Sequence, residues 1–166
     1  MRAVIAGGHG KVALLLERLL AERGDQAVGL IRNPAQVADV HQAGAEAVIC
    51  DLEAASADDV AVLLSGADAV VFAAGAGPGS GAPRKDSVDR AASVLMADAA
   101  ERAGVRRLVQ VSAMGAGQPP GPAGTVPRAD VAAVIAALLD NPGTRHRTLE
   151  LISGDTPVAA AVRGIS

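Results

Sequence analysis

The feature that most constrains the fold is a cluster of glycines between an apolar run and a leucine-rich stretch. Residues 3–6 are Ala-Val-Ile-Ala, then come Gly7, Gly8 and Gly10, and residues 12–20 carry apolar side chains at helical spacing. This order is typical of a first strand, a tight turn and a helix in a parallel α/β sheet. Ala13 is small where a third glycine often stands in such turns.

The glycine turn allows two interpretations. Without Cβ atoms, backbone N–H groups can approach a pyrophosphate at the N-terminus of the helix; alternatively, the turn is tight for structural reasons alone. We favour dinucleotide binding, because the turn lies between a strand and a helix and a charged strand end, Arg32, follows about 20 residues later. A Walker phosphate loop is excluded, because Val12 and Ile5 stand where that loop needs a hydroxyl residue and its first glycine.

Composition excludes several other classes of protein. The net charge is −3 and Phe72 is the only aromatic residue, so the basic and aromatic surfaces of nucleic-acid-binding proteins are not expected. The single cysteine, Cys50, cannot form an internal disulfide. No signal-peptide pattern, no apolar run of membrane-spanning length and no metal-ligand spacing occurs. We therefore expect one cytoplasmic domain, residues 1–166, without a metal, nucleic-acid or membrane partner.

Hydrophobic periodicity predicts strands that alternate with helices. Strands are predicted at 3–6, 27–31, 47–50, 69–74 and 107–112. Helices are predicted between them, the fourth capped by Asp86 or Ser87, and another begins at Pro127. A strand at 147–153 and a short helix at 157–163 complete the prediction. The pattern indicates an α/β fold with a doubly wound parallel sheet, as in Rossmann domains.

Polar and flexible residues coincide with the predicted carboxyl ends of the strands, where ligands bind in such sheets. The glycine turn, Arg32, Asp51, the loop that begins at Gly75 and Ser112 all lie at these ends. The Gly75 loop is consistent both with backbone lying against a cofactor and with a solvent-exposed linker.

Several segments together resemble the atypical short-chain dehydrogenase/reductases, including the NmrA-like and biliverdin-reductase-B-like NAD(P)H-binding proteins. The resemblance lies in residues 4–11, 30–34, 50–52, 72–75, 103–112 and 127–132, and it covers nearly the whole chain. It implies a set of cofactor-binding residues: Gly7, Gly8, His9, Gly10, Lys11, Val12, Arg32, Asn33, Asp51, Leu52, Ala73, Ala74 and Gly75.

Arg32 bears on the choice of cofactor. A carboxylate at the end of the second strand would accept hydrogen bonds from the ribose 2′-hydroxyl, whereas a guanidinium pairs with a 2′-phosphate. No Asp or Glu stands at this strand end, so we favour NADP(H) over NAD(H). An exposed arginine that merely ends the strand is the alternative.

The catalytic residues of the resembled family are only partly present. Typical members use a serine after the fifth strand, matched here by Ser112, and a downstream Tyr-x-x-x-Lys pair for proton transfer. This chain has no tyrosine, and its only lysines are Lys11 and Lys85. Ser112 is therefore the one catalytic candidate, although a serine at a strand end also commonly satisfies a neighbouring backbone group.

A segment expected from the resemblance is missing. Relatives carry a long helix, a sixth strand and substrate loops before the helix that begins here at Pro127, but this chain has a Pro/Gly-rich stretch at 117–124. Either the protein has lost the segment, or the sequence omits residues near Pro120 and Gly121. We favour the second alternative because the sequence on both sides resembles the family. An intact mass well above 16.4 kDa would support it, and a matching mass would exclude it.

Three functions are compatible with these residues. The first is an NADP(H)-dependent oxidoreductase that transfers hydride to a small carbonyl, quinone or flavin-like acceptor. The second is a sensor or regulator that binds the dinucleotide without turnover, and the third is a structural domain that has kept the fold alone. We favour them in that order.

Overall fold

The computed structural model describes residues 1–75, 90–112 and 125–165. Its centre is a parallel sheet of five strands in the order β3-β2-β1-β4-β5. The strands are β1 (Arg2–Ala6), β2 (Gln26–Ile31), β3 (Glu46–Ile49), β4 (Ala69–Phe72) and β5 (Leu108–Gln110). This arrangement confirms the predicted doubly wound α/β fold.

Helices connect the strands and extend beyond the last of them. They are α1 (Lys11–Glu22), α2 (Val37–Gln42), α3 (Ala57–Leu64), α4 (Ala92–Arg102), α5 (Arg128–Asp140) and α6 (Val158–Arg163). Short 3₁₀ turns at Pro34–Gln36 and Pro142–Thr144 precede α2 and follow α5. In the described part of the chain, no helix has the length and apolar character needed to cross a membrane.

The core has two halves, one on each face of the sheet. Along β1, Ala3 and Ile5 contribute to the half that also holds buried residues of α1, α2 and α5, whereas Val4 and Ala6 contribute to the half beneath α3 and α4. All four side chains are fully buried. A central strand of a parallel sheet is covered on both faces, which explains why β1 is a continuous apolar run.

Helix ends follow the local signals in the sequence. Gly24, just after α1, has a φ of +81°, which only glycine adopts without strain. Ser56 and Asp59 form a capping box at the start of α3, in which each side chain accepts a hydrogen bond from the other residue's backbone N–H. The sequence predicts a helix end at Gly24 and a helix start at Ser56, and the structure confirms both boundaries.

Three expectations need comment. The predicted strand at 147–153 is wrong: this segment pairs with no strand of the described chain, and Leu149 and Ile152 are exposed. Alternation alone does not make a strand, which also needs a neighbour for its backbone hydrogen bonds. The apolar pattern of α1 predicts a buried face of Val12, Leu15, Leu16, Leu19 and Leu20. Of these, Leu16 and Leu20 are fully buried, together with Ala13 and Glu17, and the other three are half-buried. The predicted caps Asp86 and Ser87 lie outside the described residues.

Candidate functional site

The candidate site lies where the strand order changes direction. The chain adds β2 and β3 on one side of β1 and then crosses to place β4 on the other side. Connections therefore leave β1 and β4 in different directions, and in doubly wound sheets ligands bind in the crevice that such a change of direction opens beyond the carboxyl ends of the strands. The glycine turn follows β1, and residues 73–75 follow β4.

Gly7 is held at a position where its backbone conformation and its surroundings both exclude a side chain. Its φ is +78°, and a Cβ added to it would lie 2.7 Å from the Cα atom of Ala74. Gly10 N donates a hydrogen bond of 2.7 Å to Gly7 O, which closes the turn. The glycine turn after β1 therefore packs directly against the residues that follow β4, and only glycine permits this close contact.

Gly8 brings the turn equally close to β2. Its N–H donates to Leu30 O at 2.9 Å, and a Cβ on Gly8 would lie 2.6 Å from the Cα atom of Gly29. The turn is therefore held from two sides: a backbone hydrogen bond and a glycine-to-glycine contact join it to β2, and the contact of Gly7 with Ala74 joins it to the residues after β4. It is a preformed element of the site.

The N-terminus of α1 favours an anion. Gly10 occupies the cap position and has no side chain that could accept a hydrogen bond from the first-turn N–H groups. No acidic residue stands in the first turn, which begins instead with the exposed Lys11, followed by the half-buried Val12. A lysine beside the positive end of a helix dipole is unfavourable on its own. A bound phosphate would satisfy the N–H groups, the dipole and the lysine together.

Arg32 does not stand alone at the end of β2. Its Nη1 donates to Glu53 Oε2 at 2.7 Å, and both side chains remain partly accessible, at 52% and 28%. The neighbouring Asn33 uses its side-chain oxygen locally, accepting a hydrogen bond from Ala35 N at 3.0 Å. The fold therefore supplies a carboxylate beside the arginine, although the sequence has none at this strand end.

The loop after β3 positions that carboxylate. Asp51 Oδ1 accepts a hydrogen bond from Glu53 N at 3.1 Å, which shapes the turn. Leu52 is half-buried against the core beneath α3 and α4. Burial and the nearby charges of Asp51 and Asp59 raise the pKa of the Cys50 thiol, so Cys50 is a packing residue with no thiolate character at neutral pH.

His9 joins the glycine turn to α2. Its Nε2 atom lies 2.7 Å from Asp39 Oδ2, and both side chains are partly exposed. The side chain therefore has a partner on the protein. The contact holds the turn against the helix that packs beyond β2.

A buried carboxyl lies beneath the turn. Glu17 on α1 is 0% exposed, and neither of its carboxyl oxygens has a hydrogen-bond partner among the described residues. Oε1 would lie 2.6 Å from a Cβ on Gly29 and 3.0 Å from one on Gly8. Burial raises the pKa of Glu17 to about 8, so the group is predominantly a neutral acid at pH 7.

The far side of the crevice is formed by β4 and β5. Ala73 N donates to Ala6 O, and Val111 N donates to Phe72 O, so backbone pairing continues past the ends of these strands. Ala74 contacts the glycine turn and Gly75 is exposed. Ser112 is exposed immediately after β5, at the same edge of the sheet as the other predicted site residues.

Three residues near this edge were not predicted: Glu17, Asp39 and Glu53. Helical spacing from Ala13 could have placed Glu17 on the buried face of α1. The partners of Asp39 and Glu53 lie 30 and 21 residues away along the chain, so no local pattern points to them. No group of His, Cys, Asp and Glu side chains in the described residues could hold a metal ion.

Comparison with known proteins gives consistent matches. Residues 7–124 match the model of a family described as NAD(P)H-binding. A solved structure from Bacillus halodurans, assigned as an NAD-dependent epimerase/dehydratase, superposes with a TM-score of 0.88 at 27% identity and covers 98% of this chain and 99% of its own.

Two curated relatives differ in how much of their length is matched. A UPF0659 protein of Schizosaccharomyces pombe is 38% identical in an alignment of 124 residues that covers 72% of this chain but only 50% of the relative. YhfK of Bacillus subtilis, named an uncharacterized sugar epimerase, is 27% identical and covers 98% of this chain and 99% of its own. The chain therefore spans about half the length of the yeast relative and nearly the whole of the bacterial one.

Proposed function

Since the chain belongs to the NAD(P)H-binding family of Rossmann-fold proteins, we propose that it binds NADP(H) and transfers hydride to a small carbonyl, quinone or flavin-like acceptor. The observation that supports this proposal best is the start of α1. A glycine turn at the point where the strand order reverses leads into a helix without a side-chain cap and with a lysine in its first turn. This is the arrangement that a pyrophosphate stabilises.

The proposed roles follow the order of the strands. Residues Gly7–Val12 hold the pyrophosphate, Arg32 and Asn33 lie at the adenosine ribose, and Asp51 and Leu52 lie beside the adenine. Residues 73–75 contact the nicotinamide half of the cofactor. When bound, the cofactor supplies the hydride, while the protein supplies position and electrostatics.

Arg32 is the residue on which the preference for NADP(H) rests. Its guanidinium is half-exposed at the carboxyl end of β2, and Glu53 occupies only Nη1. The remaining N–H groups can pair with a 2′-phosphate through charge-assisted hydrogen bonds.

Ser112 is the proposed catalytic residue. It is exposed at the carboxyl end of β5, where its hydroxyl can donate a hydrogen bond to a substrate carbonyl. No tyrosine exists in the chain to act as the acid. The proton that accompanies hydride transfer would then come from solvent, from the substrate or from residues that this sequence does not include.

A second function, a sensor that binds the dinucleotide without turnover, is favoured by a specific observation. The chain contains no tyrosine and only two lysines, Lys11 in the glycine turn and Lys85. This sequence therefore contains no Tyr-x-x-x-Lys pair. Steady NADPH oxidation with any quinone, flavin or carbonyl acceptor would distinguish the enzyme from the sensor.

The decisive experiment is calorimetric titration with NADPH and, separately, NADH, because a chain without tryptophan or tyrosine has little intrinsic fluorescence. We expect tighter binding of NADPH. Arg32→Asp should weaken NADPH binding roughly ten- to a hundredfold, as expected for the loss of a charge-assisted hydrogen bond of about 1.5–3 kcal/mol, and should change NADH binding far less.

Arg106→Asp is the matched control. Arg106 is exposed just before β5, at the opposite edge of the sheet, and its replacement changes the net charge by the same amount. Absence of binding with either dinucleotide would contradict the proposal and leave the turn as a purely structural element. Equal loss with both arginine variants would reject the role of Arg32.

A further inference from the structure

The carboxylate beside Arg32 has a consequence for cofactor choice. Glu53 Oε2 lies 2.7 Å from Arg32 Nη1 at the carboxyl edge of the sheet. Asp51 holds the turn that presents Glu53, through its hydrogen bond to Glu53 N. The 28% accessibility of the Glu53 side chain, against 52% for Arg32, shows that the carboxylate is the more enclosed partner. It is therefore a positioned charge within the site.

Any anion that binds Arg32 must also approach Glu53. A 2′-phosphate carries between one and two negative charges at neutral pH, and a carboxylate beside the same guanidinium opposes it. A ribose 2′-hydroxyl has no such charge and can donate a hydrogen bond to a carboxylate. Arg32 therefore favours the dinucleotide with a 2′-phosphate, whereas Glu53 favours the dinucleotide with a free 2′-hydroxyl.

We propose that Glu53 is a specificity-determining residue that limits the preference of Arg32 for NADP(H) and keeps NAD(H) usable. The inference rests on the proposed dinucleotide function and adds to it a residue that lies outside the glycine turn and outside the end of β2. The inference predicts that NADP(H) and NAD(H) bind with similar affinities, and that the Arg32–Glu53 ion pair controls the ratio of these affinities.

Glu53→Gln tests the inference, because it removes the charge and keeps the size and the capacity for hydrogen bonding. Calorimetric titration of the full chain should show NADPH binding tightened roughly three- to tenfold, the scale of a partly exposed charge pair. NADH binding should be unchanged or weaker. The gain for NADPH should shrink at high salt, because the repulsion that it removes is screened.

Glu22→Gln is the control, since Glu22 is an exposed glutamate at the end of α1, at the opposite edge of the sheet, and the variant has the same change in net charge. In an Arg32→Ala background, Glu53→Gln should still favour NADPH, but the absolute affinity for NADPH should be low. Circular dichroism melting curves should show that all variants are folded.

Each outcome decides between the two proposals. An affinity ratio that moves toward NADPH in Glu53→Gln and not in Glu22→Gln supports the inference. If the wild-type protein binds both dinucleotides but Glu53→Gln leaves the ratio unchanged, or moves it toward NADH, the inference is overturned and dinucleotide binding stands. If the wild-type protein binds neither, the proposed function fails and the inference fails with it.

Discussion

Glu17 is the residue whose environment departs most from what its chemistry favours. A carboxyl group with no exposed surface and no hydrogen-bond partner among the described residues destabilises the fold when it is ionised. Its position explains Gly29, because a side chain there would overlap the Glu17 carboxyl. Glu17 and Gly29 are therefore one packing arrangement shared by α1 and β2.

We predict that Glu17 makes stability fall with rising pH. Its pKa is raised from 4.5 to about 8, so between these values the unfolded chain releases a proton that the folded protein keeps. The free energy of unfolding should therefore decrease across this window, by up to about 1.4 kcal/mol per pH unit. In Glu17→Gln this decrease should be absent. Urea unfolding followed by circular dichroism at about pH 5 and about pH 8 measures it.

Glu22→Gln provides the comparison on the same helix, because its side chain is exposed. Its unfolding free energy should follow the wild-type pH dependence. If the Glu17→Gln protein shows the same pH dependence as the wild-type protein, the Glu17 carboxyl does not keep its proton as its burial requires.

At the scale of elements, glycines stand both at helix ends and in the turn after β1, but for different reasons. Gly24, Gly44, Gly66 and Gly104 follow helices and have positive φ angles, which end a helix cleanly. Gly7 has a positive φ as well, but it also lies against the backbone of Ala74. Conformation alone explains Gly24, Gly66 and Gly104, whereas a Cβ on Gly44 would also meet Ala21, and Gly7 couples β1 to the residues after β4.

This difference predicts different effects of the same substitution. Gly66→Ala should cost roughly 1 kcal/mol of stability from its left-handed backbone and leave dinucleotide affinity unchanged, because no other described atom lies within 4 Å of the added Cβ. Gly7→Ala should cost more and also weaken dinucleotide binding, because the turn must move away from Ala74. Urea unfolding and calorimetry measure the two effects, and equal effects of both variants on affinity would contradict the assignment.

At the scale of the whole molecule, a buried arginine joins the C-terminal elements to the sheet. Arg107, just before β5, is 9% exposed. Its Nη2 donates to Leu138 O, to Asn141 O at 3.1 Å and to Thr144 Oγ1 at 2.6 Å. These acceptors lie at the end of α5 and in the 3₁₀ turn that follows it. One side chain therefore anchors the segment that follows the Pro/Gly-rich stretch.

We predict that Arg107→Ala destabilises the protein by about 2–3 kcal/mol, because it leaves buried acceptors without a donor. Arg106→Ala is the matched control, since Arg106 is exposed one residue earlier, and it should change stability by less than about 0.5 kcal/mol. Urea unfolding followed by circular dichroism compares the two. Equal stability of both variants would show that Arg107 is not the anchor.

The bacterial relative bears on the missing segment. The alignment with YhfK extends over 213 positions, more than the 166 residues of this chain, so the relative contains residues without a counterpart here. We propose that they correspond to the helix, sixth strand and substrate loops expected between β5 and α5.

The sequence by itself determined the α/β class, the parallel sheet, the start and end of α1 and α3, and the glycine turn at the candidate site. These features depend on residues close together along the chain: periodicity, caps and glycines with a positive φ. The tertiary structure alone decided that Glu53 pairs with Arg32, that His9 contacts Asp39 and that residues 147–153 form no ladder with any described strand. Each of these features depends on which segments lie close together in the folded protein, and a local pattern in a single sequence does not show such contacts. For this reason, Glu53 must be considered together with Arg32 when a cofactor preference is predicted. The fold brings the Glu53 carboxylate to Arg32 from 21 residues further along the chain.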